Sequence, residues 1–232
     1  MKKRAAKPDY GIDAPYVLTA ITAAGFTCLV FAIAAPRLRF LYSPCISLLA
    51  TSAVWLYGSK VGKLKLREKL VNRVSWLGDE QVLDAGCGSG LLLIAAAKRL
   101  NTGKATGADI WRSEDLANNS RETTLKNAET EGVQDRITLD DTDIGKLPYA
   151  DCTFDAILSL NVIHNIDKRG DRATALRELS RVLKPGGTMI LCDFRNVSEY
   201  TIELRSQGIT GVRKEFIGWV GFFPMFAAVV QS

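Results

Sequence analysis

The stretch Val82-Leu83-Asp84-Ala85-Gly86-Cys87-Gly88-Ser89-Gly90 has residue types spaced for ligand chemistry. Glycines at alternate positions let a backbone pass close to a ligand and take turns that a Cβ forbids. The apolar run Leu91–Leu100 that follows reads as a helix, and the free N–H groups of a helix start favour a negative group. A dinucleotide loop uses similar parts in the order G-x-G-x-x-G. Here the third glycine comes one residue early, at Gly90, and position 91 is Leu. Asp84, at the mouth of the loop, opposes a pyrophosphate and attracts a cation. The second stretch is Leu160-Asn161-Val162-Ile163-His164-Asn165, after the apolar run Phe154–Ser159. Ligands of open parallel sheets bind beyond the carboxyl ends of the strands, so this loop is expected at the site. His164 is the only histidine. An imidazole titrates near neutrality and can take a proton from a substrate heteroatom. Positioning of substrate and a purely structural role stay open beside that one.

S-adenosyl-L-methionine meets the charge requirement of the loop: its ammonium and sulfonium are positive, and its carboxylate can use loop N–H groups. The acid followed by G-x-G-x-G after a first strand resembles the signature of the class I S-adenosylmethionine-dependent methyltransferases. The resemblance covers Gln81–Ser232 and implies S-adenosyl-L-methionine as cofactor, bound by Asp84, Gly86, Cys87, Gly88 and Gly90. It implies that Asp109, 25 residues after Asp84, binds the ribose diol. A carboxylate can accept both hydrogen bonds. Ile110 would cover one adenine face, and Trp111 either stacks on the ring or packs on a lid. Asp141-Thr142-Asp143-Ile144 with Leu147-Pro148-Tyr149 resembles the family's GDAxxLPF segment, with Thr142 in place of the glycine and Tyr149 in place of the phenylalanine. By that match Asp143 accepts from the adenine amino group and Ile144 lies near the ring. Asn161 belongs to the loop facing the transferable methyl.

These residues need a scaffold, and the chain alternates strands with helices. Strands are expected over Gln81–Leu83, Lys104–Asp109, Arg136–Leu139, Phe154–Ser159, Thr188–Cys192, Val212–Ile217 and Phe222–Val230. Helices are expected over Leu91–Leu100, from Ser113-Glu114-Asp115 through Asn118 to Glu131, over Asp171–Leu183 and over Val197–Gln207. Lys184-Pro185-Gly186-Gly187 is a recurrent family feature that turns the chain into the fifth strand. The fold class is α/β, a Rossmann-like seven-stranded methyltransferase sheet with helices on both faces, preceded by two transmembrane helices. Asp193, Arg195 and Tyr200 follow the fifth strand; they could line a substrate pocket, but a polar helix start is the favoured assignment.

The residues before the first strand have another character. Tyr16–Ala35 and Phe40–Gly58 carry no charge over twenty and nineteen residues, the length that spans a bilayer. Lys and Arg number four before the first span, two in the link Pro36-Arg37-Leu38-Arg39 and five just after the second. The positive-inside rule puts both ends and the catalytic domain in the cytoplasm, with a cytoplasmic (inner) membrane location. Two other readings compete: a signal peptide ending at Ala32-Ile33-Ala34, and a buried hairpin of a soluble protein. The membrane hairpin is favoured, because a second span follows at once and small and hydroxyl residues suit packed membrane helices. The chain divides into a basic N-terminus (1–15), a transmembrane hairpin (16–58), a basic amphipathic linker helix (59–78) and a methyltransferase domain (79–232). The net charge of +5 comes largely from clusters flanking apolar spans, so nucleic acid is not an expected partner. The five cysteines are scattered, with no C-x-x-C and no His/Cys cluster. No metal site or disulfide framework is expected, and reduced thiols are.

The expected activity is transfer of the methyl of S-adenosyl-L-methionine, by in-line displacement, to a small hydrophobic acceptor beside a lipid bilayer. A membrane-tethered S-adenosylmethionine-binding or assembly protein without turnover is the alternative, and an NAD-dependent oxidoreductase is disfavoured by Leu91 and Asp84. The acceptor atom and the oligomeric state are not specified by the sequence.

Overall fold

A computed structural model describes residues 7–112 and 116–231. Helix α1 (Pro15–Ala34) is followed by a 3-10 turn (Pro36–Leu41) and by α2 (Tyr42–Tyr57). A π-helical turn (Gly58–Gly62) leads straight into α3 (Lys63–Val71). Strand β1 (Gln81–Ala85), α4 (Leu91–Ala97), β2 (Lys104–Asp109), α5 (Arg121–Thr130) and β3 (Ile137–Asp141) make the first half of the domain. The second half is β4 (Phe154–Leu160), α6 (Arg169–Val182), β5 (Leu183–Asp193), α7 (Val197–Ser206), β6 (Arg213–Val220) and β7 (Phe223–Val230).

The seven strands run β3-β2-β1-β4-β5-β7-β6. β1 to β5 pair in parallel, and β7 enters antiparallel between β5 and β6. Successive side chains of a strand point to opposite faces, and here both faces are apolar, as parallel strands covered on both sides require. Val82, Ala105, Leu158, Ile190 and Ala227 pack under α3 and α4, with Leu66, Leu70, Leu93 and Ile94. Their neighbours Leu83, Ala108, Ile157, Met189 and Ala228 pack under α6 and α7, with Leu176, Leu179, Tyr200 and Leu204. The strand order reverses between β1 and β4, which opens a crevice at their carboxyl ends.

Several expected boundaries move, each for a physical reason. The start of α5 falls at Ser120, whose side chain accepts from Thr123 N; the expected start at Ser113-Glu114-Asp115 lies outside the described residues. β3 extends to Asp141 because β2 continues to pair with it through Asp109. Lys184-Pro185-Gly186-Gly187 is not a turn before β5 but an irregularity within it. The register with β4 passes from Phe154↔Leu183 to Ala156↔Thr188, and Gly186 takes φ +80 there.

The expected linker helix is not a separate unit. α2 and α3 form one continuous helical stretch, and the apolar side of α3 (Leu66, Leu70, Val71) is fully buried in the domain core. The segment before α1 is likewise no free tail. Asn127 donates to Asp9 O (2.8 Å) and to Ser89 O (2.9 Å), and Tyr10 is buried. The Lys63 ammonium donates to Tyr10 O (2.7 Å) and Gly11 O (3.0 Å). Both ends of the helix pair α1–α2 are therefore fastened to the domain.

The pair itself projects. Only 11% of each apolar window is buried, and Phe26, Val30, Phe31, Ile33 and Ile46 are exposed. Its hydroxyls bond within the pair: Thr22 Oγ1 reaches Ser52 Oγ at 3.0 Å, and Thr19, Thr27 and Thr51 bond to carbonyls one turn back. Gly25 lets α2 come close, since a Cβ there would lie 2.9 Å from Leu49 Cδ2.

Candidate active site

β1 ends in a tight loop whose shape depends on glycine. Gly86 has φ +76, and a Cβ there would meet Val162 at 2.3 Å. Gly88, at φ +51, donates its N–H to Asp109 Oδ2 at 2.7 Å. Asp109 Oδ1 accepts from Trp111 N at 2.6 Å, so the carboxylate clamps the loop to the end of β2. Each carboxylate oxygen keeps a second lone pair for a diol. Gly90 starts α4 at φ +85 and faces Thr124 and Ile94 rather than the crevice.

Asp84 differs from an acid at a loop mouth. It is 2% exposed, lies beneath the loop, and accepts from Leu93 N in the first turn of α4 at 2.7 Å. Burial pushes its carboxyl up to about 7; the Leu93 N–H offsets part of this and the charge of Asp109 adds to it. Its position near a helix start is set by packing and by this hydrogen bond. Cys87 is buried as well, its Sγ against Gly107, and burial pushes the thiol up. Trp111 turns its indole N–H to Asp141 Oδ1 at 2.7 Å.

The crevice widens into a cavity of about 760 Å³, within the range of small-molecule sites. Gly86, Gly88, Asp109, Ile110, Asp143, Ile144 and Asn161 line it together with His164. Asp84, Cys87, Gly90 and Trp111 do not reach its surface. Asp143 Oδ1 accepts from Gly145 N at 2.8 Å. Asn161 follows β4 at φ +57, where its N–H donates to Cys192 O at 2.9 Å. Among the described residues, the side-chain oxygens of Asn161 and of Asn119, another lining residue, are buried without a partner.

His164 stands on a 3-10 turn (Ile163–Asn165) after β4. Its Nδ1 bonds to Asp193 Oδ1, and its backbone N donates to Asp193 Oδ2 at 3.3 Å. Tyr200 OH donates to the same Oδ2 at 2.9 Å. Asp193 is 1% exposed and Tyr200 is fully buried. A buried carboxylate at Nδ1 fixes the ring tautomer and leaves Nε2 as the proton acceptor. Burial and the charge of Asp193 push the Tyr200 hydroxyl up, so it remains a donor to that carboxylate. The imidazole also packs edge-on to Phe194, with centroids 4.6 Å apart.

Assignment of Asp193 and Tyr200 to a polar helix start does not hold: they buttress the histidine. Arg195 is exposed; it donates to the His164 carbonyl at 3.1 Å and its guanidinium lies over the Phe194 ring, 5.5 Å from the centroid. The signal was the pairing of neighbouring parallel strands. Leu160 at the end of β4 faces Cys192 in β5, which brings the residues that follow each strand together.

Comparisons with known proteins show the family and the fold. A family profile described as a methyltransferase domain matches residues 78–214, more than half of the chain. Methyltransferase GfsG of Streptomyces halstedii is 33% identical over 130 residues, 56% of this chain and 43% of that protein. Ubiquinone/menaquinone biosynthesis C-methyltransferase UbiE of Bdellovibrio bacteriovorus is 33% identical over 132 residues, 57% of this chain and 52% of that protein. The chain thus spans about half the length of the curated relatives it matches. A crystal structure of a SAM-dependent methyltransferase from Aquifex aeolicus shares the fold, with a TM-score of 0.57 at 20% identity, covering 78% of this chain and 97% of that one. The chain belongs to the class I S-adenosylmethionine-dependent methyltransferases. The cofactor of this family is S-adenosylmethionine, and the residues present fit it: a loop that only glycine can form and a strand-end carboxylate with free lone pairs.

Proposed function

We propose that the protein methylates a small hydrophobic acceptor beside the cytoplasmic membrane, in which α1 and α2 hold it. The observation that carries this reading is one cavity lined both by Gly86, Gly88, Asp109, Ile110, Asp143, Ile144 and Asn161 and by His164, whose ring Asp193 holds from behind. In this assignment Gly86 and Gly88 leave room for the methionine moiety, and Asp109 receives the ribose hydroxyls. Asp143 accepts from the adenine amino group, Ile110 and Ile144 flank the ring, and Asn161 belongs to the loop facing the transferable methyl. Asp84 acts from beneath as a buried negative charge rather than as a contact, while Gly90, Cys87 and Trp111 support the loop.

When bound, S-adenosylmethionine would supply an activated methyl on a positively charged sulfur. An activated donor needs alignment and exclusion of water more than it needs further activation. His164 Nε2 takes the proton of an acceptor that is protonated at working pH, and Asp193 stabilises the resulting imidazolium. The membrane reading rests on the length, exposure and internally bonded hydroxyls of α1 and α2, together with the placement of Lys and Arg. The UbiE relative is named for quinone biosynthesis, which agrees with a hydrophobic acceptor. Calorimetric titration of the detergent-solubilised protein with S-adenosylmethionine, S-adenosylhomocysteine and NAD tests the site. Micromolar binding of the first two and none of the third is expected; silence toward all three would refute the assignment.

A further inference from the structure

The cavity is not confined to the catalytic domain. Trp55 of α2, Gly58 and Ser59 of the π-helical turn, and Asp13 before α1 also line it. The tip of the β6–β7 hairpin meets this base at very short range: a Cβ on Gly58 would lie 2.8 Å from Gly221 N. Two glycines allow that backbone approach, and it leaves the foot of the helix pair as one wall of the site.

That wall is aromatic and continuous. Trp55 packs edge-on to Phe223 with centroids 5.4 Å apart, and Phe223 lies 5.1 Å from Phe194. Phe194 packs against the His164 imidazole. A series of four rings therefore runs from the foot of the apolar helices to the ring that carries the base. Polar groups mark its two ends. His164 is at one; at the other, Trp55 Nε1 donates to Asp13 O at 3.0 Å. There Ser59 Oγ donates to Asp13 Oδ2 at 2.9 Å, and Lys63 Nζ reaches Asp13 Oδ1 at 3.2 Å. These bonds hold the foot of α2 and the segment before α1 in one rigid corner.

We infer that Trp55 and Phe223, with Phe194, form the acceptor subsite, and that it takes a planar apolar ring bearing an ionisable hydroxyl, entering from the bilayer at the foot of α2. Aromatic rings prefer edge-on or offset contacts with other flat rings, so the series favours a flat ligand over a flexible acyl chain. With apolar contact along its length, the ligand's hydroxyl is directed to His164. With α1 and α2 held in the membrane as proposed above, a molecule dissolved there would meet this wall at the foot of α2. The inference rests on the proposed methyl transfer for the role of His164, but the subsite is defined by the helix base and the β6–β7 hairpin.

The test uses the full chain in phosphatidylcholine/phosphatidylglycerol nanodiscs, with 2-naphthol as the probe and empty nanodiscs as the blank. Saturable binding is expected for the wild type. Trp55→Ala and Phe223→Ala should each weaken it tenfold or more, and Trp55→Phe should recover most of the loss. Trp219→Ala, at an exposed ring packed edge-on to Phe216 outside the cavity, should leave it unchanged. S-adenosylhomocysteine binding, measured in parallel, reports that the variants are folded. Absence of saturable naphthol binding, or equal binding by the wild type and both alanine variants, would overturn the inference. Trp55-dependent naphthol binding without S-adenosylhomocysteine binding by the wild type would sustain the subsite and refute the methyl-transfer reading instead.

Discussion

Asp84→Asn isolates the charge beneath the glycine loop while keeping an oxygen to accept the Leu93 N–H. The carboxyl, ordinarily near 3.8, is pushed up to about 7 in the folded protein. The native state therefore holds this proton over a range in which the unfolded chain has lost it. Stability linked to the group is present below about pH 4 and is lost as pH rises toward 7. The gap corresponds to a ceiling of about 4 kcal/mol. The variant should be more stable than the wild type at pH 8, by about 2–4 °C in Tm for each kcal/mol recovered, and no more stable at pH 4. A cationic ligand reverses the balance by favouring the ionised carboxylate. Wild-type affinity for S-adenosylmethionine should fall by as much as about tenfold per pH unit below 7, and the variant should lose this dependence and bind more weakly at pH 8. S-adenosylhomocysteine, with a neutral sulfur, should show a smaller change. Thermal melts and calorimetry across pH 4–8 measure both effects. An equal stability difference at pH 4 and pH 8, or an unaltered pH dependence of binding in the variant, would refute the buried-charge account.

Three further outcomes follow from the geometry. His164→Gln should lower methyl transfer by about 10²–10⁴-fold while S-adenosylhomocysteine binding stays within a few-fold, and Asp193→Asn should mimic it by releasing the ring tautomer; single-turnover kinetics and calorimetry separate the two effects. Gly86→Ala should abolish cofactor binding or folding, because its Cβ would enter Val162 and its φ is +76, whereas Gly132→Ala meets open space and carries only the strain of φ +71; circular dichroism and binding distinguish them. Cysteines placed singly at positions 8 and 60 of a cysteine-free variant should react with a membrane-impermeant thiol reagent only after the cytoplasmic face is opened, whereas one at position 38 should react from outside.

The chemistry was most legible where backbone shape dictates residue type. The loop from Gly86 to Gly90 and the acid at the end of β2 can be assigned from sequence because few residues tolerate those φ values or that strand-end position. The alternation of apolar runs likewise gave the sheet. Burial by distant segments was not legible. Asp84 sits in the right pattern, but only packing shows that it lies beneath the loop. Asp193 stands 29 positions from its histidine, and its local neighbours resemble a helix start. The contribution of Trp55 and Asp13 to the cavity depends on α2 continuing into α3 and on the Gly58–Gly221 approach, neither of which has a local sequence signal.

The most direct test of the central claim is transfer of radiolabelled methyl from S-adenosylmethionine to a lipid extract of the source membranes by the protein in nanodiscs. The account predicts label in a small, organic-extractable compound, strongly reduced by Asp109→Ala and by His164→Gln. Absence of label in that fraction with the wild type, or equal labelling by the wild type and both variants, would contradict it.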